Sequence, residues 1–177
     1  MATNDSDASF SWSPASRADF ASLGSALAAA VQDGDVICLE GELGAGKTSF
    51  AQAFAQALGV AAPVVSPTFN ILCTYPEGRL PLHHFDLYRL DGPDQLEDVD
   101  FWALSDDSTP GVCLIEWADL FPNDMPEDTL TIQIGYIEDC EDARSLRLSA
   151  SGSRAGCLLK VAAQAFDGKM PRKEHDV

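Results

Sequence analysis

From Leu90 to Asp142 the chain carries no lysine and no arginine, while sixteen aspartates and glutamates fall in the same stretch. Over all 177 residues, 11 basic side chains face 28 acidic ones, a formal charge of −17. A surface of that sign repels a phosphate backbone, which excludes tight nucleic-acid binding by this chain alone. Two uses remain for the acidic stretch: a solvated surface that keeps the protein soluble, or a docking face for a basic partner. The segment Met1–Asp7 lacks the basic start and apolar stretch of a secretory signal, and no apolar run approaches membrane-spanning length. The expected location is therefore the cytoplasm, away from membranes. The five cysteines are odd in number and form no C-x-x-C pair, which excludes a disulfide framework and a zinc clip. Cys38 and Cys113 sit in apolar runs and read as buried, reduced thiols. There is no internal repeat and no low-complexity tract.

What is present is enough apolar sequence, 46% of residues, to bury one core. Residues 1–12 read as a loose leader, 13–155 as a single P-loop domain, and 156–177 as a C-terminal extension whose last part, from Lys169, is disordered. Ser13-Pro14 has the form of an N-cap and first helical position, and Phe20, Leu23, Leu27 and Val31 follow at helical spacing. A helix is expected to end near Asp33-Gly34-Asp35. Val36–Leu39 is a short continuous apolar run, as in a strand buried on both faces. Phe50, Phe54, Ala57 and Leu58 then mark one face of a second helix, which Gly59 stops. Thr68–Tyr75 and Leu80–Asp86 flank Pro76-Glu77-Gly78-Arg79 and predict a hairpin, with Pro81 placing part of it at a sheet edge. A short helix over 93–104 and strands over 112–116, 130–136 and 145–150 complete the pattern. The expectation is an α/β P-loop NTPase domain, a mixed sheet with a β-hairpin and flanking helices.

The chemistry begins at Gly41-Glu42-Leu43-Gly44-Ala45-Gly46-Lys47-Thr48, which satisfies G-x-x-x-x-G-K-[ST] and continues into Ser49. Glycines let such a loop curl so that successive N–H groups face phosphate oxygens, and the helix that follows adds the positive end of its dipole. Lys47 is placed to reach the β- and γ-phosphates, and the Thr48 hydroxyl to ligate Mg²⁺. A carboxylate must help hold that metal. Asp86 in "HHFDLYRL" and Glu116 in "VCLIEW" both end apolar strands and are the candidates, against the alternative of strand-end acids with no role. In "VVSPTFN", Thr68 is either a switch threonine that senses metal or γ-phosphate, or an ordinary residue at the start of a strand. His83 and His84 have no cysteine or carboxylate at ligand spacing and read as hydrogen-bonded strand histidines. Trp117 either stacks on a base or fills the sheet edge.

Taken in order, "GELGAGKTSF", "SPTF", "HHFDLYRL" and "LIEW" resemble the TsaE (YjeE) family of small bacterial ATPases in tRNA threonylcarbamoyladenosine biosynthesis, from about Ser13 to Ala150. The resemblance implies a domain that binds ATP and Mg²⁺ and works with TsaD and TsaB proteins. That assembly places a threonylcarbamoyl group on the adenosine beside the anticodon, the chemistry belonging to TsaD and the ATPase supporting its turnover. It further implies phosphate contacts from Leu43 to Thr48, Thr48 and Glu116 as Mg²⁺ ligands, Thr68 as the switch residue and Asp86 as a Walker-B-like acid. Arg144 in "DARSLRL" matches a family arginine that touches the nucleotide; a surface strand arginine is the alternative. The chain departs from the family at Arg17 and Phe20, where Glu and Thr are usual, and at Asp100, where glycine is common. Three functions fit: an ATPase that resets a partner complex, a small-molecule kinase, or a nucleotide-sensing subunit that needs no hydrolysis.

Overall fold

The computed structural model describes residues 9–166. Seven strands form one mixed sheet: β1 (Ser9–Ala15), β2 (Val36–Glu40), β3 (Leu72–Tyr75), β4 (Leu82–Asp86), β5 (Val112–Glu116), β6 (Thr129–Ile137) and β7 (Cys140–Ser151), in the spatial order β1-β7-β6-β2-β5-β4-β3. The strands β6, β2, β5 and β4 run parallel, while β3 and the pair β7 and β1 join antiparallel at the two sides. Four helices accompany them: α1 (Arg17–Ala30), α2 (Lys47–Leu58), the single turn α3 (Phe101–Leu104) and α4 (Ser153–Phe166).

Alternation along the buried strands divides the core in two. Ile37, Leu39, Leu114 and Ile132 face α1, α2 and α4, whose Leu23, Leu27, Phe50, Phe54, Leu158 and Phe166 complete the larger cluster. Val36, Cys38, Phe85, Cys113 and Ile115 point to the opposite face, against Leu96, Phe101 and Phe121. Both cysteines are thus packing groups: burial drives the Cys38 thiol far above its ordinary range and pushes Cys113 up to about 12.

The N-terminal helix differs from its expected start. Ser13 and Pro14 lie in β1, and the N-cap is Ser16, in a capping box with Asp19: the Ser16 N–H donates to Asp19 Oδ2 at 2.8 Å and the Asp19 N–H to Ser16 Oγ at 3.3 Å. Residues 9–12, assigned above to a leader, pair in register with β7, Ser9 opposite Ser149 and Phe10 opposite Leu148. Residues 1–8 and 167–177 lie outside the described part, and with them the expected disorder from Lys169. The boundary at 155 falls inside α4, whose Ala155, Leu158, Leu159, Ala162 and Phe166 are buried in the core. On α2 the buried face uses Ala51 and Ala55, and Ala57 is exposed. The hairpin forms as expected, with strands shortened to β3 and β4.

The helix expected over 93–104 is broken. Pro93–Val99 is a 3₁₀ segment, and Asp100, at φ 54 and ψ 27, separates it from α3. Left-handed backbone costs an L-residue about 1–2 kcal/mol, less for aspartate, whereas glycine adopts it freely at an entropic cost of about 0.5–1 kcal/mol. Asp100→Gly is accordingly expected to raise the unfolding free energy by about 0.5 kcal/mol, readable as a small upward shift of the urea midpoint.

Candidate nucleotide site

The buried strand β2 delivers the chain into the loop 41–46, and α2 begins at Lys47 with Gly46 as its N-cap at φ 118. No side chain caps this helix start. Its first N–H groups are therefore left to a ligand, and an anion is the partner they favour.

One cleft of about 190 Å³ is lined by Leu43, Gly44, Gly46, Lys47, Thr48, Ser49, Ser66, Thr68, Asp86, Glu116 and Trp117. A second, of about 180 Å³, is lined by Ser16, Arg17, Phe20, Ala45, Glu141, Asp142 and Arg144, and it shares Gly44, Gly46 and Ser49 with the first. The two meet across the loop. Gly41 and Glu42 line neither; their carbonyls accept from Lys47 Nζ at 2.7 and 3.0 Å.

Among the described residues Lys47 is the single cationic side chain in the first cleft, only 5% exposed, with its Nζ 3.6 Å from the Trp117 ring centroid. Burial holds its ammonium below the ordinary lysine value, opposed first by Glu116 and then by Asp119 and Asp86. The Trp117 ring thus sits on the lysine side of the site, packed at a tilt of 39° against the Tyr88 ring, and not among the residues that line the cleft of Arg144. Glu116 ends β5 beside α2, and Thr48 Oγ1 lies 3.1 Å from each of its carboxylate oxygens. Parallel pairing sets Asp86, at the end of β4, opposite Glu116. Asp86 Oδ2 accepts from Thr68 Oγ1 at 2.5 Å and Ser66 Oγ at 3.2 Å, so the "SPTF" segment is tied to the strand-end acid.

Ser66 and Tyr136 had escaped the reading of the sequence, and His84 is the hydrogen-bonded strand histidine expected, with a partner at the site that was not foreseen. Ser66 was visible only as the residue that starts a Ser-Pro turn. His84 is wholly buried, with Nε2 2.9 Å from Glu116 Oε1; a carboxylate only accepts, so Nε2 carries the proton, and Nδ1 has no hydrogen-bond partner among the described residues. Its partner stands 32 residues away. Only the β4–β5 register brings the two together. His83 bonds to Thr74 and to the Pro110 carbonyl. Tyr136 donates its hydroxyl to the Leu43 carbonyl at 2.8 Å, and nothing local in the sequence signals it. Arg144 Nε donates to the Ala45 carbonyl at 2.9 Å.

Among the described residues, no group of three or more His, Cys, Asp or Glu is placed to hold a metal by itself. The donors beside Lys47 are a hydroxyl and two carboxylates, hard oxygens suited to Mg²⁺ when nucleotide oxygens and water supply the remaining positions. With two carboxylates and one ammonium in the cleft, a polyphosphate meets unfavourable charge unless a divalent cation enters with it.

A glycine loop between a buried parallel strand and an uncapped helix, with Lys47 and Thr48 at the helix start and acids on the neighbouring strands, defines a P-loop NTPase-fold domain. Comparison with known proteins narrows the class: the family model of the Threonylcarbamoyl adenosine biosynthesis protein TsaE matches residues 15–146, and the chain belongs to that family. It is 42% identical over 133 residues, 75% of this chain and 80% of the relative, to the tRNA threonylcarbamoyladenosine biosynthesis protein TsaE of Bacillus subtilis. Against the protein of the same name in Nostoc it is 39% identical over 115 residues, 64% and 70% of the two chains. The crystal structure of Bacillus subtilis YdiB superposes with a TM-score of 0.73 at 33% identity, covering 91% of this chain and 98% of that one. No helix among the described residues is long and apolar enough to cross a membrane.

Proposed function

We propose that this chain is a Mg²⁺-dependent ATP hydrolase that acts in the cytoplasm with TsaD-like and TsaB-like proteins, supporting turnover of the complex that forms threonylcarbamoyladenosine beside the tRNA anticodon. The observation that carries the reading is the convergence, in one cleft, of Lys47, Thr48, Glu116, Asp86 and Thr68. In it, Lys47 and the N–H groups of the loop and helix start bind the β- and γ-phosphates. Thr48 and Glu116 hold Mg²⁺, with His84 orienting the Glu116 carboxylate. Mg²⁺ held by these two residues would supply positive charge to the phosphate oxygens, favouring in-line attack by water. Asp86 and Thr68, which line the same cleft beside Glu116, would position the attacking water.

No arginine among the described residues lines this cleft. The described residues therefore supply it neither a kinase-like lid of arginines nor the cationic group that speeds hydrolysis in stimulated P-loop enzymes. Slow turnover alone, raised by a partner that covers the cleft, follows. The segments forming its rim expose large apolar side chains, Phe69 at 83% and Leu43 at 75%, together with Val65, Tyr88 and Leu120, which is the surface such a partner would bury. The chain's −17 charge assigns tRNA binding to the partner as well.

The tie from Ser66 and Thr68 to Asp86 favours a second reading, a sensor in which nucleotide merely releases the "SPTF" segment for docking. Both are tested by measuring phosphate release from ATP with Mg²⁺, for the chain alone and with TsaD- and TsaB-like proteins added. A slow basal rate rising at least about tenfold with partners is the expected result. Glu116→Ala separates the readings: if it binds ATP, cannot turn it over and still fully supports tRNA modification, the sensor is correct.

A further inference from the structure

The hairpin between β6 and β7 touches the phosphate loop at two backbone carbonyls, and neither contact belongs to the motif. Tyr136 Oη donates to Leu43 O at 2.8 Å, and Arg144 Nε donates to Ala45 O at 2.9 Å. The two side chains are themselves joined, the guanidinium lying 4.6 Å from the centroid of the Tyr136 ring. Arg144 is further held by the Glu141 and Ala143 carbonyls of its own hairpin at 2.7 and 2.8 Å. The contact is close: a Cβ on Gly44 would come within 2.9 Å of the Tyr136 hydroxyl.

In a planar trans peptide the carbonyl of one residue and the N–H of the next point in opposite directions. Holding Leu43 O outward therefore turns the Gly44 N–H inward, and holding Ala45 O outward does the same for the Gly46 N–H. Between them, the Ala45 N–H is already engaged by the Glu42 carbonyl at 3.1 Å. Gly44 and Gly46 are also the two loop residues that line both clefts, and both have positive φ, 78 and 118. Without an outside anchor, loop glycines at such angles have many alternatives.

We infer that Tyr136 and Arg144 are positioning residues that act through the backbone, pre-setting the Gly44 and Gly46 N–H groups toward a bound polyphosphate. The inference rests on the phosphate-site reading above and deepens it. It gives Arg144 a different task from direct contact with the nucleotide, and it gives Tyr136 one that no motif assigns. Pre-organised donors bind an anion without first ordering the loop.

The test uses the full chain, with ADP and inorganic tripolyphosphate as calorimetric ligands in Mg²⁺ and thermal unfolding as the control for folding. Tyr136 is half exposed, and Tyr136→Phe removes only its hydroxyl, so the unfolding midpoint should not move. Losing one anchoring hydrogen bond is expected to weaken both ligands by a common factor of about fivefold. Arg144→Met is expected to weaken both by about tenfold, and the double variant by less than the product, because the two anchors serve one loop. Unchanged tripolyphosphate affinity in Tyr136→Phe would overturn the inference, as would a loss confined to ADP, which would mean a contact with the nucleoside. A wild-type chain that binds neither ligand would remove the phosphate-site reading itself, and this inference with it.

Discussion

Replacing Lys47 with alanine is expected to lower Mg²⁺-dependent phosphate release by about a hundredfold or more, the usual loss when a preorganised charge-stabilising donor is removed. Its Nζ, folded back on the Gly41 and Glu42 carbonyls and against Trp117, is held where a polyphosphate would replace neutral acceptors by charged ones. No other cation among the described residues lines the cleft to substitute for it. The fold should survive, because the variant removes a buried ammonium along with its desolvation cost; the carboxylates left behind, Glu116 and Asp86, keep hydrogen bonds from Thr48, His84, Ser66 and Thr68. An unfolding midpoint within a few degrees of wild type, with hydrolysis and Mg·ADP binding both lost, is the predicted pattern. Full hydrolysis by the variant would dismiss this cleft as the catalytic site. Lys47→Arg should not restore activity, since a planar guanidinium cannot occupy the compact position between two carbonyls and a ring.

The loop that holds Lys47 was legible because its requirements are local: glycines for positive φ, a buried strand before, an amphipathic helix after. Asp86 and Glu116 were legible for a similar reason, since an apolar run that ends in a carboxylate announces itself. The meeting of Thr48 with Glu116, across 68 positions, came from the family resemblance alone, and that of Glu116 with His84 from nothing in the sequence, because such contacts exist only once sheet order and register are set. Two signals also competed at the N-terminus. Ser13-Pro14 has the form of a helix start, but Ser16-x-x-Asp19 has it too, and pairing with β7 recruits the first of them into a strand. Proline is tolerated there because β1 is an edge strand. The alternation of Phe10 and Trp12 with Ser9, Ser11 and Ser13 was a strand pattern in plain view. Trp117 shows the converse limit: its identity left a base and the sheet edge both open, and only the structure sets its ring against the lysine.

The second large effect lies far from the phosphates, at Phe166. Its ring is fully buried at the end of α4, 4.8 Å from the centroid of Trp12 and 5.8 Å from that of Phe10, so it joins the last helix to the first strand. Truncating a buried phenylalanine costs about 3–5 kcal/mol in lost transfer energy and cavity, out of a total stability of about 5–15 kcal/mol. Phe166→Ala should therefore lower the thermal midpoint by about 10 °C, at about 2–4 °C per kcal/mol for a chain of this size. Cys157→Ser, on the exposed side of the same helix, should fall within about 0.5 kcal/mol of wild type and controls for any effect of handling α4. The family match ends at residue 146, before this helix begins, which makes the outcome decisive for where the folding unit stops. A midpoint unmoved by Phe166→Ala would make α4 an appendage. A single cooperative transition shifted downward would make it part of the domain, because α4 packs on α1, and α1 carries the Phe20 ring that lies against Gly46 and Phe50. Stability at Phe166 and the shape of the phosphate loop would then be properties of one packed core, separable by temperature: well below the midpoint the variant should still bind Mg·ADP as wild type does.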